Sequence, residues 1–362
     1  MSNTNPQLSP AVIIGTGLVG ASLGMALSRA GIQVHLRDLV PAHVQVAASR
    51  GAGTDAEPDP LGVRLVVAAA PPEALPSVIA AALAEFPNAT VTDVGSVKGT
   101  ILAQLRAHVS DLSRYVGSHP MAGSQASGPL TAKADLFADR TWVVTPHDTA
   151  AAHAVLDVNE LVRIAGGRRV TMGAAHHDEA VAQVSHLPQL VSALMAGSLT
   201  EIPPEHLRLA GQGLRDVTRI AGSDPALWEQ IIAANSAAVL RELAKLARRL
   251  NDVVDHFGDA SAVAGLLEDG QRGRAALPGK HGMAQTAFAH VVVEIPDAPG
   301  ALARLFADIE KAGVNVEDVS IEHDLEREVG YLSVQVAPAH ADELEAAMRV
   351  AGWNVRDPEG IA

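Results

Sequence analysis

The 362-residue sequence predicts three folded regions: an α/β domain on a parallel sheet, an all-helical domain, and a small α+β unit. Three observations predict them. Up to about residue 170, short apolar runs alternate with helical stretches, the pattern of a sheet covered by helices on both faces. From about His176 long helical stretches take over. Beyond a stretch rich in glycine and charge at 268–285, strand-like runs return in the order of a βαββα unit. The expected boundaries are 9–172, 173–270 and 286–362, with a linker over 271–285.

The first region opens on Ala11-Val12-Ile13-Ile14, an apolar run ending in glycine, followed by helical composition over 20–30. Further strands are expected at 34–36, 65–69, 89–94, 115–117 and 142–145. Between the first strand and first helix stands Gly15-Thr16-Gly17-Leu18-Val19-Gly20, a GxGxxG turn. In such a turn the first glycine makes the bend. The second lets a pyrophosphate approach the backbone, and the third packs helix on strand. The helix N-terminus then receives the negative charge. Asp38 follows 23 positions after Gly15 (38 minus 15), close to the spacing of a carboxylate that binds ribose hydroxyls. Gly15, Gly17, Leu18, Val19, Gly20 and Asp38 therefore predict a Rossmann dinucleotide-binding domain. Asp38 favours NAD because a carboxylate repels the 2′-phosphate of NADP, although Arg37 beside it is able to accept such a phosphate.

In the second region the helical stretches are Asp178 to Leu199 and Pro225 to Phe257. Val239, Leu243, Leu246, Leu250, Val253 and Phe257 step by 4, 3, 4, 3 and 4, an apolar stripe on one helix face. Such a stripe packs against neighbouring helices, across a two-fold axis, or both. A homodimer is expected. In the third region strands are expected at 287–294, 314–323 and 330–336, helices at 300–312 and 339–351, and a last short strand at 353–355.

Composition narrows the function. The formal net charge is -14, from 27 basic and 41 acidic residues, with no basic run to bind nucleic acid. There are no cysteines, so thiol catalysis, disulfides and cysteine-zinc sites are excluded. No metal site is read. The N-terminal residues lack the basic and apolar segments of a secretory signal. The most apolar window, 65–86, holds three prolines and Glu73, which suits a strand and a helix better than a membrane span. A cytoplasmic protein with no membrane partner is expected.

Four polar clusters remain. Thr92 to Gly99 (TDVGSVKG) lies at the carboxyl end of a strand, where open α/β sheets bind ligands, and Ser96 there is placed to bond substrate or cap a helix. Gly117 to Gly123 (GSHPMAG) sets His119 among small residues and a proline. Ser185 to Gln189 (SHLPQ) carries His186. Gly213 to Ala221 (GLRDVTRIA) carries two arginines in five residues, a plausible anion clamp.

In their order, GTGLVGAS, DVGSVKG, GSHPMAG, SHLPQ and GLRDVTRIAGSDPALW resemble the prephenate dehydrogenase family, which includes arogenate-using relatives. The resemblance runs from about Val12 to Phe257. Asp297 to Leu302 and Val314 to Glu317 resemble an ACT domain, a ferredoxin-like α+β module that binds amino acids. The resemblance implies NAD-dependent oxidative decarboxylation of prephenate to 4-hydroxyphenylpyruvate, CO2 and NADH. It implies that His119 takes the C4 hydroxyl proton and that Ser96 orients His119 and the substrate hydroxyl. Arg219 would bind a substrate carboxylate, and His186 and Ser124 would line the pocket. Gln125 stands where some relatives have a glutamate linked to gating, and Gln189 where some have a histidine. For the ACT-like unit it implies an effector, expected to be inhibitory L-tyrosine, at Asp297, Gly300, Ala301, Leu302, Asn315 and Val316. Arogenate, giving tyrosine directly with NADP or NAD, is the alternative substrate.

Overall fold

A computed structural model describes residues 6–123, 128–277, 288–324 and 329–356. The chain divides into two compact units, Met1–Arg248 and Arg249–Ala362. Among the described residues no helix is long and apolar enough to cross a membrane.

The first unit is built on a seven-stranded sheet. Its strands are β1 (Ala11–Ile14), β2 (Val34–Arg37), β3 (Leu65–Ala68), β4 (Thr90–Asp93), β5 (Tyr115–Pro120), β6 (Thr141–Thr145) and β7 (Arg168–Thr171), in the order β2-β1-β3-β4-β5-β6-β7. The helices between them are α1 (Leu18–Arg29), α2 (Pro41–Ser49), α3 (Leu75–Glu85), α4 (Gly99–His108) and α5 (Ala152–Ile164). Successive strand residues serve opposite faces. Ala11, Ile13, Leu65 and Val67 join the core that also holds Leu23, Leu27, Trp142 and Leu161. Val12, Val66, Ala68 and Val91 join the other, with Leu75, Ile79, Phe86 and Leu105. Burial on both faces explains why these strands are continuous apolar runs. Each large side chain so buried contributes roughly 1.5–3 kcal/mol.

Two features depart from the expected parallel sheet. β6 runs antiparallel to β5, pairing Val143 with His119 and Trp142 with Pro120. The connection between them holds a three-residue 3-10 turn, Pro129–Thr131, among its described residues, not the helical crossover that a parallel return requires. The edge strand β7 was not expected, because Arg168-Arg169-Val170-Thr171 is solvent-exposed throughout and carries no apolar signal.

The helical part of this unit comprises α6 (Ala174–Val181), a π turn (Ala182–His186), α7 (Leu187–Ser198), α8 (Pro204–Leu207), α9 (Gln212–Thr218), α10 (Pro225–Ala234) and most of α11 (Ser236–Asp255). Both expected long helices are interrupted. The first changes to π geometry just before Pro188, where the ring removes a helical donor. The second breaks at Asn235, whose side chain is committed to other partners. The expected stripe is buried only at its start: Val239 is 3% exposed, whereas Leu250 is 61% exposed and Phe257, beyond the end of α11, 71%.

In the second unit, α12 (Ala260–Ala275) runs past residue 270 into the stretch expected to be linker. Asp269 pairs with Arg272 and Arg249, and Glu268 with Arg272, so the charges that suggested a loop support helical turns instead. Residues 278–285 of the expected linker lie outside the described residues. The remainder is β8 (Ala289–Pro296), α13 (Ala301–Lys311), β9 (Val316–Asp324), β10 (Val329–Val336), α14 (Ala341–Val350) and β11 (Asn354–Arg356). The antiparallel sheet has the order β11-β8-β10-β9, a ferredoxin-like βαββαβ arrangement consistent with an ACT-like fold. Val291, Val293, Leu305, Leu332, Leu344 and Met348 form its core.

Candidate active site

The glycine turn joins β1 to α1. Gly15 has φ +98°, and a side chain there would strike the Ala69 carbonyl, its Cβ 2.3 Å from the oxygen. A Cβ at Gly20 would lie 1.9 Å from the Gly15 oxygen. At Gly17 no atom stands within 4 Å of where a Cβ would be. Two glycines are thus required by the fold, and the third leaves open backbone at the N-terminus of α1, the room a pyrophosphate needs. Leu18 and Val19 open α1, with Val19 packed on the core.

Asp38 closes this turn from the end of β2. Its Oδ2 accepts from Thr16 N at 2.7 Å and Thr16 Oγ1 at 3.0 Å, and its Oδ1 from Val40 N at 2.9 Å. Burial works to raise this carboxyl, but the three donated bonds outweigh it and hold it below the ordinary value. Arg37 points its charge elsewhere. Both guanidinium Nη atoms bond Glu85 at 2.9 Å, one of them also bonds Glu57, and the group lies over Phe86.

At the end of β4, Asp93 is fully buried. Its Oδ1 accepts from Tyr115 Oη at 2.8 Å, and its Oδ2 from Gly95 N at 3.0 Å and from Lys98 Nζ. Lys98 is buried as well, and desolvation is the first cause of its lowered pKa, with Asp93 opposing it. Ser96 lies between them in sequence on the β4–α4 loop and is half-buried.

His119 stands at the carboxyl end of β5, the same edge of the sheet as the glycine turn. Its Nδ1 is 2.9 Å from Nε2 of His177 on α6. His177 is fully buried, and its Nδ1 is 2.8 Å from Asp178 Oδ1. Asp178 in turn accepts from Lys98 N at 2.8 Å and Gly99 N at 2.7 Å, at the start of α4. The ring of His119 is therefore held by His177, not by Ser96 as the sequence suggested. A hydroxyl on a loop is replaced by an imidazole that α6 carries between strand and helix N-terminus. His119 retains partial exposure, yet burial is the first cause that drives its pKa well below the ordinary value. Electrostatic coupling to His177, Lys98 and His186 acts in the same direction.

His186 ends the π turn. Asn235 Nδ2 donates to the Asp178 carbonyl at 2.8 Å and lies 3.1 Å from His186 Nδ1. An amide nitrogen that donates to a carbonyl is a donor to the imidazole too, so His186 carries its own proton on Nε2 when neutral. Burial lowers its pKa to about 4, and the ring meets Trp228 edge to face. Gln189 donates to the Ile220 carbonyl at 3.0 Å, and Ser192 Oγ to the Val217 carbonyl at 2.7 Å. These bonds tie α7 to the exposed turn that carries Arg219. Ser124 and Gln125 lie outside the described residues. Sequence reasoning missed His177, Asp178, Lys98, Asn235 and Trp228. Lys98 and Trp228 stand inside the DVGSVKG and GLRDVTRIAGSDPALW motifs but were given no role there, and His177 is 58 positions from His119.

The model of the prephenate dehydrogenase nucleotide-binding domain matches residues 23–171, and that of the prephenate dehydrogenase dimerization domain matches residues 173–260. A Streptomyces niveus protein named "Probable prephenate dehydrogenase NovF" is 37% identical, over 95% of this chain and 98% of its own. The structure of prephenate dehydrogenase from A. aeolicus in complex with hydroxyphenyl propionate and NAD+ superposes with a TM-score of 0.66 at 26% identity, covering 74% of this chain and 97% of that one. Synechocystis arogenate dehydrogenase gives a TM-score of 0.63 at 25% identity, over 73% and 98%.

Proposed function

We propose that this chain, which belongs to the prephenate dehydrogenase family, oxidises prephenate with NAD and releases CO2 and 4-hydroxyphenylpyruvate. Membership makes it an NAD-linked oxidoreductase of the prephenate and arogenate dehydrogenase class. The finer reading rests chiefly on His119, an imidazole of lowered pKa bonded at Nδ1 on the cofactor edge of the sheet.

Gly15, Gly17, Gly20, Leu18, Val19 and Asp38 would hold NAD, which when bound accepts the hydride from ring C4. The engagement of Arg37 by Glu57 and Glu85 favours NAD over NADP, because that guanidinium is already neutralised. His119 takes the C4 hydroxyl proton as that carbon gains carbonyl character. The C1–carboxylate bond then breaks and its electrons enter the ring, which becomes aromatic. Substrate and products carry equal hydrogen, one now on NADH as hydride, so the proton returns to the phenolate oxygen. Ser96, on the β4–α4 loop, would bond the hydroxyl. Arg219 supplies a cation for a substrate carboxylate, and His186 an Nε2–H donor beside Trp228. Ser124 and Gln125, which lie outside the described residues, are assigned to substrate binding on the family resemblance alone.

The exposed apolar residues of α11, in a region that matches a dimerization-domain model, support a homodimer. The domains are read as 9–172, 173–270 and 286–362, with the linker shortened at its start by α12. The ACT-like unit is assigned to feedback by L-tyrosine. Gly300 (φ +86°) starts α13, with Ala301 and Leu302 in its first turn and Asp297 in the preceding bend. Asn315 Nδ2 bonds Glu317, next to Val316 at the start of β9.

Arogenate is the second reading, favoured by the likeness to the Synechocystis enzyme. It differs by an ammonium that a carboxylate would bind, and Asp216 and Glu229 are the candidates. Turnover of prephenate and arogenate, each with NAD and NADP, decides between them. Prephenate with NAD is expected to give the highest kcat/KM, and a higher value for arogenate with NADP would overturn the proposal.

A further inference from the structure

We infer that His177 and Asp178 form a proton relay behind His119, fixing its working tautomer and holding charge while the base is protonated. The inference rests on the reading of His119 as the base. It begins from the bonds around Asp178. Oδ1 accepts the Lys98 amide and Oδ2 the Gly99 amide, so both oxygens act as acceptors. The carboxylate therefore accepts a hydrogen bond from the His177 Nδ1–H across 2.8 Å. At the other end of that ring, one proton belongs in the 2.9 Å bond between His177 Nε2 and His119 Nδ1. If His177 Nε2 held it, a neutral His119 would carry its own proton on Nε2 and have no lone pair for substrate. With the proton on His119 Nδ1, His119 Nε2 is bare and able to act as a base. The Asp178 end of the chain favours this second arrangement, since it leaves His177 neutral with Nε2 as acceptor.

The same bond gives the proton somewhere to go. When His119 Nε2 takes the hydroxyl proton, its Nδ1 proton is able to cross to His177 Nε2. His119 then stays neutral, and the charge rests on an imidazolium bonded to the Asp178 carboxylate. When the phenolate forms, His119 returns the Nε2 proton to the oxygen and recovers its Nδ1 proton from His177. No proton is gained or lost over the cycle. The arrangement also spares the partly buried His119 a persistent charge close to the buried Lys98. His177 and Asp178 are positioning residues here, since they act through His119.

The test compares His177→Gln and His177→Leu with wild type and with His119→Asn in the full chain, using prephenate and NAD. Glutamine is able to accept from His119 Nδ1 but cannot take its proton, while leucine does neither. The relay predicts that kcat falls at least ~10-fold in His177→Gln and further in His177→Leu, short of the ~100-fold or larger loss expected when the base itself is removed. The KM for prephenate should stay within about threefold. A merely structural His177 predicts rescue by glutamine, so a His177→Gln kcat within about twofold of wild type would overturn the relay. If His119→Asn itself keeps wild-type turnover, the base assignment fails, and that failure is separate from the relay's. Should both His177 variants fail to fold, the nitrogen-15 resonances of wild-type His119 decide. An Nδ1–H tautomer supports the relay, and an Nε2–H tautomer overturns it.

Discussion

His119 and His177 meet with their rings at 74° and a nitrogen of each 2.9 Å apart, although a strand carries one and a helix the other. This contact makes the helical region part of the same site as the glycine turn. It also places a second imidazole, and behind it a carboxylate, where a loop hydroxyl was expected.

The pH dependence of activity should report the surroundings of His119. Burial first, then electrostatic coupling to His177, Lys98 and His186, lower its pKa. A base with a lowered pKa stays unprotonated into more acidic solution. The acidic limb of kcat/KM for prephenate should therefore fall below the ordinary imidazole value of about 6.5. A limb at or above that value would contradict the environment described.

The glycines of the turn should separate folding from cofactor binding. Gly20→Ala places a methyl group 1.9 Å from backbone oxygen and should abolish a cooperative thermal transition. Gly17→Ala meets no protein atom within 4 Å and should fold normally. It should nevertheless weaken NAD binding about tenfold, or ~1.4 kcal/mol, because the methyl occupies the approach of the pyrophosphate. Thermal unfolding and NAD titration of the two variants check this.

The buried pair of Lys98 and Asp93 should be more costly to break than to replace. Asp93→Ala leaves a buried ammonium without its carboxylate and removes the partner of Tyr115 Oη, and should cost about 3–5 kcal/mol in urea unfolding. The double variant Asp93→Asn with Lys98→Met removes both charges and should cost less than Asp93→Ala alone. The reverse order would show that the ion pair itself dominates.

Control by the C-terminal unit should be separable from catalysis. Deleting residues 286–362 is expected to leave prephenate turnover intact and to abolish inhibition by L-tyrosine. Inhibition that survives the deletion would place tyrosine at the active site instead.

The parts of the molecule legible in the sequence are those whose signal is local. β1, the glycine turn and Asp38 lie within 28 residues, each with a steric or electrostatic requirement that one residue type satisfies. Strands buried on both faces announced themselves as apolar runs, whereas the exposed β7 did not. The π turn ending at His186 lies beside the local signal of Pro188, whereas the break at Asn235 goes with side-chain partners distant in sequence, which periodicity does not carry. The same holds for His119. Its loop was conspicuous, but the residue that holds its ring is supplied by a helix 58 positions away. Lys98 and Asp178 looked like ordinary charged residues until folding buried the one and set the other on a helix N-terminus.

The central claim is that His119 is the base for NAD-dependent oxidation of prephenate. The most direct measurement is NADH formation from prephenate by His119→Asn beside wild type, with NAD affinity measured on the same samples. The account predicts a fall in kcat of at least ~100-fold with NAD affinity unchanged. Turnover near that of wild type would contradict it.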